Sequence, residues 1–273
     1  MMQNFSTSPF IFIKSIHQNW SLTLSLTVRE VLGRYKGSIL GILWSFFNPI
    51  FMLAVYTFFF SFVFKARWGT GSDSKIEFAL ILFAGLIVFN LFSECIMQAP
   101  AIILSNANYV KKVIFPLEIL PIVNLGAACF HLLISFSVWL ICYLFFLGVP
   151  SITALLLPII LLPITFLILG LSWFLGSLGV YLRDISQITS LLLTALMFMS
   201  PIFFPLASLP VEIQPFLLLN PLTPEIEMVR DALIWGKAPS WSFYFAYLFF
   251  NIFIAWLGFA WFQKTRKGFA DVM

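Results

Sequence analysis

Apolar residues in this chain come in long unbroken runs. Between Gly37 and Phe64 there are 28 residues without a charge, and comparable runs recur at about 77–98, 118–147, 152–181, 187–206 and 241–262. Each approaches or exceeds the roughly 20 apolar residues that a helix needs to cross a bilayer core. Backbone polar groups cannot face lipid unpaired, so such runs are expected as helices. A stretch such as LLLPIILLPITFLILGL (155–171) lacks the two-residue alternation of a barrel strand. The pattern predicts an all-α integral membrane fold, six transmembrane helices in one domain covering 1–273.

The connections refine this picture. Residues 21–28 (SLTLSLTV) alternate like a strand, yet Trp20, Leu24, Val28 and Leu32 share one helical face. With Arg29, Arg34 and Lys36 beside them, an amphipathic helix lying in the inner interface is expected. Segment 201–240 holds seven of the chain's fifteen prolines, and its apolar run Val211–Leu219 is too short to span. Thr223 is expected to cap a helix that starts at Pro224, carries Glu225 in its first turn and ends at Gly236. This makes 203–236 a pair of short re-entrant segments at the outer face. Gly37 and Gly41, four apart and in register with Trp44 and Asn48, are expected to give close helix–helix approach, and Pro49 to bend the first span.

Charge sets the orientation. With a cytoplasmic N-terminus, ten Lys and Arg fall inside and five outside, and an even span number puts both termini in the cytoplasm. Charged residues are only 10% of the chain and hydrophobic ones 61%, with mean hydropathy +1.02. That is too little charge to solvate a globule of this length. The net charge of +4 says little about nucleic acid, and no nucleic-acid partner is expected. The first apolar run starts too far in for a cleavable leader. Cys95, Cys129 and Cys142 are odd in number and lack metal-like spacing, so free thiols are expected.

Enzyme motifs do not surface. Gly236–Lys237 is followed by Ala, so no phosphate loop is present, and two histidines, His17 and His131, cannot make H-E-x-x-H. His131 is expected to hydrogen-bond between helices. Glu77, Glu94 and Glu118 lie near span ends, which weakens an ion-coupled carrier without removing it. No metal and no cofactor is expected on this chain.

Five segments carry a resemblance. RYKGSILGILWSFFNPIFMLAVYTFFFS (34–61), NANYVKKVIFPLEILP (106–121), MFMSPIFFP (197–205), LNPLTPEIEMVRDALI (219–234) and KGFADVM (267–273) are similar, in order, to ABC-2 type permeases that export cell-surface polysaccharides. The resemblance implies a permease that pairs with a second copy and with two nucleotide-binding ATPase subunits, which hold ATP and Mg. It implies a polyprenyl-pyrophosphate-linked polysaccharide as substrate, O-antigen ahead of capsule or teichoic acid, in a bacterial inner membrane. An ABC-2 exporter of small lipids or drugs, and an ion-coupled secondary transporter, are the alternatives.

Residue roles follow on that frame. Each unpaired sugar hydroxyl in hydrocarbon costs about 2–7 kcal/mol, so a glycan needs a lined passage. The chain has 34 Phe, 9 Trp and 7 Tyr. Those with polar neighbours make the channel candidates: Trp44, Phe47, Asn48, Tyr56, Phe198, Ser200, Phe203 and Phe204. Arg29, Arg34 and Lys36 form a cytoplasmic collar suited to a pyrophosphate. The resemblance makes Asn106, Asn108, Tyr109, Lys111 and Lys112 the coupling segment against the ATPase. It also makes Pro210, Pro215, Asn220, Pro221, Glu225 and Arg230 part of an outer gate.

Overall fold

A computed structural model describes residues 8–59, 68, 75–110 and 115–272. Every regular element among them is helical. The chain opens with α1 (Pro9–Gln18) and α2 (Trp20–Tyr35), then α3 (Trp44–Thr57) and α4 (Lys75–Gln98). After the short α5 (Ala107–Val110) come α6 (Leu120–Phe146), α7 (Leu157–Ile160) and α8 (Leu162–Tyr181). Then follow α9 (Ile185–Phe198), α10 (Gln214–Leu218), α11 (Leu222–Leu233), α12 (Trp241–Thr265) and α13 (Phe269–Val272).

Four stretches are long and apolar enough to cross a membrane: Lys75–Ala101, Leu117–Phe146, Ile152–Tyr181 and Trp241–Gly268. Gly41–Thr57 and Ile185–Phe198 are shorter apolar helices. The chain is a multi-pass membrane protein. Of the four, α4 is central: 78% of its apolar stretch is buried, against 28–39% for the other three. A helix apolar on all sides suits either protein core or lipid. Neighbour packing therefore decides which helices turn faces outward, as α12 does with Phe249 and Phe253.

The 8–32 segment is helical, as its stripe suggests, but the stripe is not what docks it. Trp20, Leu24, Val28 and Leu32 are exposed, whereas Thr23 and Leu26 on the opposite side are buried and α2 packs along α6. The apolar stripe is left for a surface outside the chain, which suits an interfacial helix.

Gly37 and Gly41 differ from expectation. Their φ values are +87° and +52°, and a Cβ on either would meet nothing within 4 Å in this chain. They lie in the connection between α2 and α3, in a conformation that L side chains rarely adopt. The close helix approach is elsewhere, between α8 and α12 at Gly170 and Gly258.

The expected Thr223 cap is also replaced. The helix starts two residues earlier, at Leu222, and Asn220 Oδ1 accepts the Leu222 N–H at 2.9 Å. Thr223 Oγ1 instead donates to the Leu217 carbonyl at 2.7 Å. An Asn side chain reaches its own backbone two residues on, which fixes the turn ahead of α11. At the far end α11 stops at Leu233, and Gly236 takes φ +65°.

Candidate functional site

The turn at Gly37 and Gly41 leads from the end of α2 into α3. This brings Arg34 and Tyr35 next to Trp44 and Asn48, and all four open onto a cavity of about 590 Å³. The opposite wall comes from α4 (Phe83, Asn90, Glu94) and α6 (His131, Ser135), and Tyr56 stands further along α3. Three of the expected channel residues, Trp44, Asn48 and Tyr56, therefore share one space with a polar floor.

That floor is a charge cluster. Arg34 Nη1 donates to Glu94 Oε1, which also receives His131 Nδ1 at 2.8 Å. A carboxylate only accepts, so Nδ1 carries the proton. In the neutral ring, Nε2 then accepts the Tyr35 hydroxyl at 2.8 Å. The three charged or titratable side chains are 19–23% exposed, so the cluster is half-sheltered and borders the cavity. Arg34 Nη2 is buried with no hydrogen-bond partner among the described residues. Charges at such depth demand partners, and here each is supplied by a different helix. His131 is an inter-helix hydrogen-bonding residue, as its isolation in an apolar run suggests.

The other members of the collar stand apart from Arg34. Arg29 and Lys36 are exposed. Arg29 borders a second cavity of about 310 Å³ together with Glu30, Gln98, Ser105, Asn106 and Asn124. Its guanidinium lies 5.9 Å from the centre of the Tyr109 ring, which stacks on Phe115 at 4.3 Å. Asn106 Nδ2 donates to the Ile102 carbonyl at 2.9 Å, and Asn108 is exposed. Lys111 and Lys112 lie outside the described residues.

Of the remaining channel candidates, Phe47 and Phe198 are exposed, at 51% and 60%, and Phe203 is buried between Tyr56 and Phe198 at 5.8 and 6.0 Å. Phe204 is partly buried against the core. Ser200 is fully buried: its hydroxyl donates to the Leu196 carbonyl and accepts Asn220 Nδ2 at 2.8 Å.

The 201–236 region is built around Arg230, which is fully buried. Its Nε donates to the Ile81 carbonyl at 3.1 Å, Nη2 to Ile202 at 2.7 Å and Nη1 to Pro201. The guanidinium sits 4.3 Å from the centre of the Trp68 ring. A Cβ on Gly85 would come within 2.8 Å of Nη2, so the missing side chain there admits the arginine. Arg230 thus joins α11, α4 and the chain leaving α9. Pro210 and Pro215 are exposed, Pro221 accepts the Tyr247 hydroxyl, and Glu225 is fully buried with neither oxygen paired among the described residues.

At the other end of the bundle Glu118 ties four elements together. Arg266 Nη1 donates to its Oε2 at 2.6 Å, Ser15 Oγ to its Oε1 at 2.9 Å, and Trp173 Nε1 to its backbone carbonyl at 3.0 Å. The sequence shows each of these residues needs a partner but not which one; Tyr35, Trp68, Ser15 and Arg266 were not foreseen as partners.

The profile of the ABC-2 type transporter family matches residues 21–234. The chain belongs to that family. The matched span runs from the start of α2 through α11, so the ABC-2 domain contains both the Arg34–Glu94–His131 cluster and the Arg230 clasp. Similar relatives extend further. The O-antigen export system permease protein RfbA of Myxococcus xanthus is 26% identical over 95% of this chain and 98% of its own. A namesake from Klebsiella pneumoniae is 25% identical over 93% and 95%. The polysialic acid transport protein KpsM of Escherichia coli is 27% identical over 78% and 81%.

Proposed function

We propose that this ABC-2 chain is the permease subunit of an ATP-driven exporter of polyprenyl-pyrophosphate-linked polysaccharide, O-antigen first, from cytoplasm to periplasm. The carrying observation is the cavity between α3, α4 and α6. It sets two aromatic rings (Trp44, Tyr56) and an amide (Asn48) above an arginine-bearing floor. Rings offer flat faces to sugar C–H groups, the amide serves hydroxyls and the cation serves a phosphate. Relatives named for O-antigen export and for polysialic acid transport support a polysaccharide cargo.

The finer architecture follows from this reading. Gly41–Thr57 gives about 26 Å of helix and Ile185–Phe198 about 21 Å at 1.5 Å per residue, short of the roughly 30 Å core. With their flanking residues they complete a six-span set with both termini cytoplasmic, and α10 and α11 fold back as re-entrant segments at the outer face. Both short helices present large exposed apolar residues, Phe51 at 66% on α3 and Leu191 at 72% on α9. A second copy seated there encloses the channel. ATP hydrolysis belongs to two separate ATPase subunits docked on the Asn106–Tyr109 side.

The test is complementation of a bacterium lacking its own O-antigen permease, with that exporter's ATPase and a version of it unable to hydrolyse ATP. Surface polysaccharide should return only with the active ATPase. Return with the inactive one, or transport by the purified chain alone, sinks the proposal in favour of a secondary carrier. Export of a short lipid in a glycan-deficient strain favours the small-substrate exporter instead.

A further inference from the structure

We infer that Glu94 is an internal stand-in for an anionic ligand: it holds Arg34 in the resting chain, and a phosphate-class oxyanion reaching the cavity takes its place. The pairing is built to be exchanged. Arg34 Nη1 reaches a single carboxylate oxygen, and that oxygen is already shared with His131 Nδ1 at 2.8 Å. The same guanidinium keeps a buried Nη2 without a partner. A phosphate presents several oxygens to the planar guanidinium fork and engages both nitrogens, which a shared carboxylate oxygen does not.

Release of Glu94 leaves no bare charge in the protein interior. The carboxylate keeps the Nδ1–H of His131, which Tyr35 braces from the other ring nitrogen at 2.8 Å. Exposed Arg29 and Lys36 lie on the same helix end and raise the local concentration of anions. Glu94 and His131 are thereby positioning residues that set how tightly Arg34 is available. Only the identity of the anion, a lipid-borne pyrophosphate, rests on the glycan-export reading.

The experiment is equilibrium binding to the full-length chain in lipid nanodiscs, with farnesyl pyrophosphate as the lipid probe and inorganic pyrophosphate as the free-anion probe. Glu94→Gln removes the closer of two internal carboxylates, Glu30 Oε1 standing 3.8 Å from Arg34 Nε, and should tighten farnesyl pyrophosphate binding at least tenfold; Arg34→Gln should abolish it. Glu94→Asp, one methylene shorter, should give a smaller gain and stands in if Glu94→Gln does not fold. Displacement by inorganic pyrophosphate at equal concentration marks a free-anion site, and displacement only by the lipid form marks a headgroup site; either supports the exchange. Equal or weaker binding by both folded Glu94 variants overturns it, as does absence of binding in every form. That last result leaves the glycan reading to its own export assay. Tightened binding in Glu94→Gln alongside failed complementation removes the glycan reading and keeps the exchange.

Discussion

Gly258 faces the backbone of Gly170: any Cβ on Gly258 would run into the Gly170 carbonyl, and a Cβ on Gly170 would lie 2.7 Å from the Ile254 carbonyl oxygen. Two apolar helices gain nothing from hydrophobicity against each other in lipid, so close backbone contact is what holds α8 to α12.

Gly170→Ala and Gly258→Ala should therefore each destabilise the protein by about 1–3 kcal/mol, since the obstructing atoms are backbone and cannot step aside. Gly33→Ala is the control. A Cβ there meets nothing within 4 Å on a regular helix, and the change should stabilise by about 0.4–1 kcal/mol. Thermal unfolding in detergent reads both, and equal behaviour of the two classes contradicts the packing argument.

Arg230 donates to three main-chain carbonyls from two other segments and stacks near Trp68. Arg230→Gln should cost about 3 kcal/mol or more, because buried carbonyls lose their donors. Arg230→Lys should recover little, as an ammonium lacks the planar fork that spans Ile81, Pro201 and Ile202. Limited proteolysis within 201–221 should quicken in both variants. Unchanged cleavage rates would show that this segment is held by other contacts.

Much of this fold was legible because helix length and hydropathy are local properties. The four long spans fall within a few residues of the apolar runs, and the Trp20, Leu24, Val28 and Leu32 stripe, taken with Arg29, Arg34 and Lys36 beside it, favoured a helix over a strand there. What the runs could not give was rotation about each helix axis. The exposed side of α2 is that very stripe, and Thr23 and Leu26 are the residues it buries. Gly37 and Gly41 read as a helix contact because spacing carries no φ information, and a turn glycine looks the same as a packing one. At the cavity, Trp44, Asn48 and Tyr56 could be grouped by helical register on one element. The pairing of Arg34 with Glu94 and His131 joins positions 60 and 97 residues apart, which register cannot reach.

Glu225 sits fully buried at the start of α11 with both carboxyl oxygens unpaired, near Tyr244 and Tyr247 of α12. Burial pushes its carboxyl well above the usual carboxylate range. Below the unfolded value, folded and unfolded chains both hold this proton. As pH rises through that value, the unfolded state ionises first, and stability falls until the raised folded pKa is passed. Glu225→Gln has no proton to lose, so its melting temperature relative to the natural chain should be nearly unchanged at about pH 4 and increasingly higher toward pH 8. A difference that stays flat with pH means the carboxyl is ionised in the fold.

Trp44 and Tyr56 give the sharpest test of the passage itself. Their rings share the cavity with Asn48, whereas Phe249 is 68% exposed on α12, away from it. If ring faces guide sugar, each removal forfeits a stacking interaction of about 0.5–1.5 kcal/mol, equivalent to roughly two- to tenfold in rate. Trp44→Ala and Tyr56→Ala should lower polysaccharide export by that factor at unchanged membrane abundance. Tyr56→Phe, which keeps the ring, should stay near normal. Phe249→Ala should export normally because lipid fills the gap. Should Tyr56→Phe fail as badly as Tyr56→Ala, the hydroxyl and not the ring is what the cargo meets, and the aromatic wall loses its role at that position.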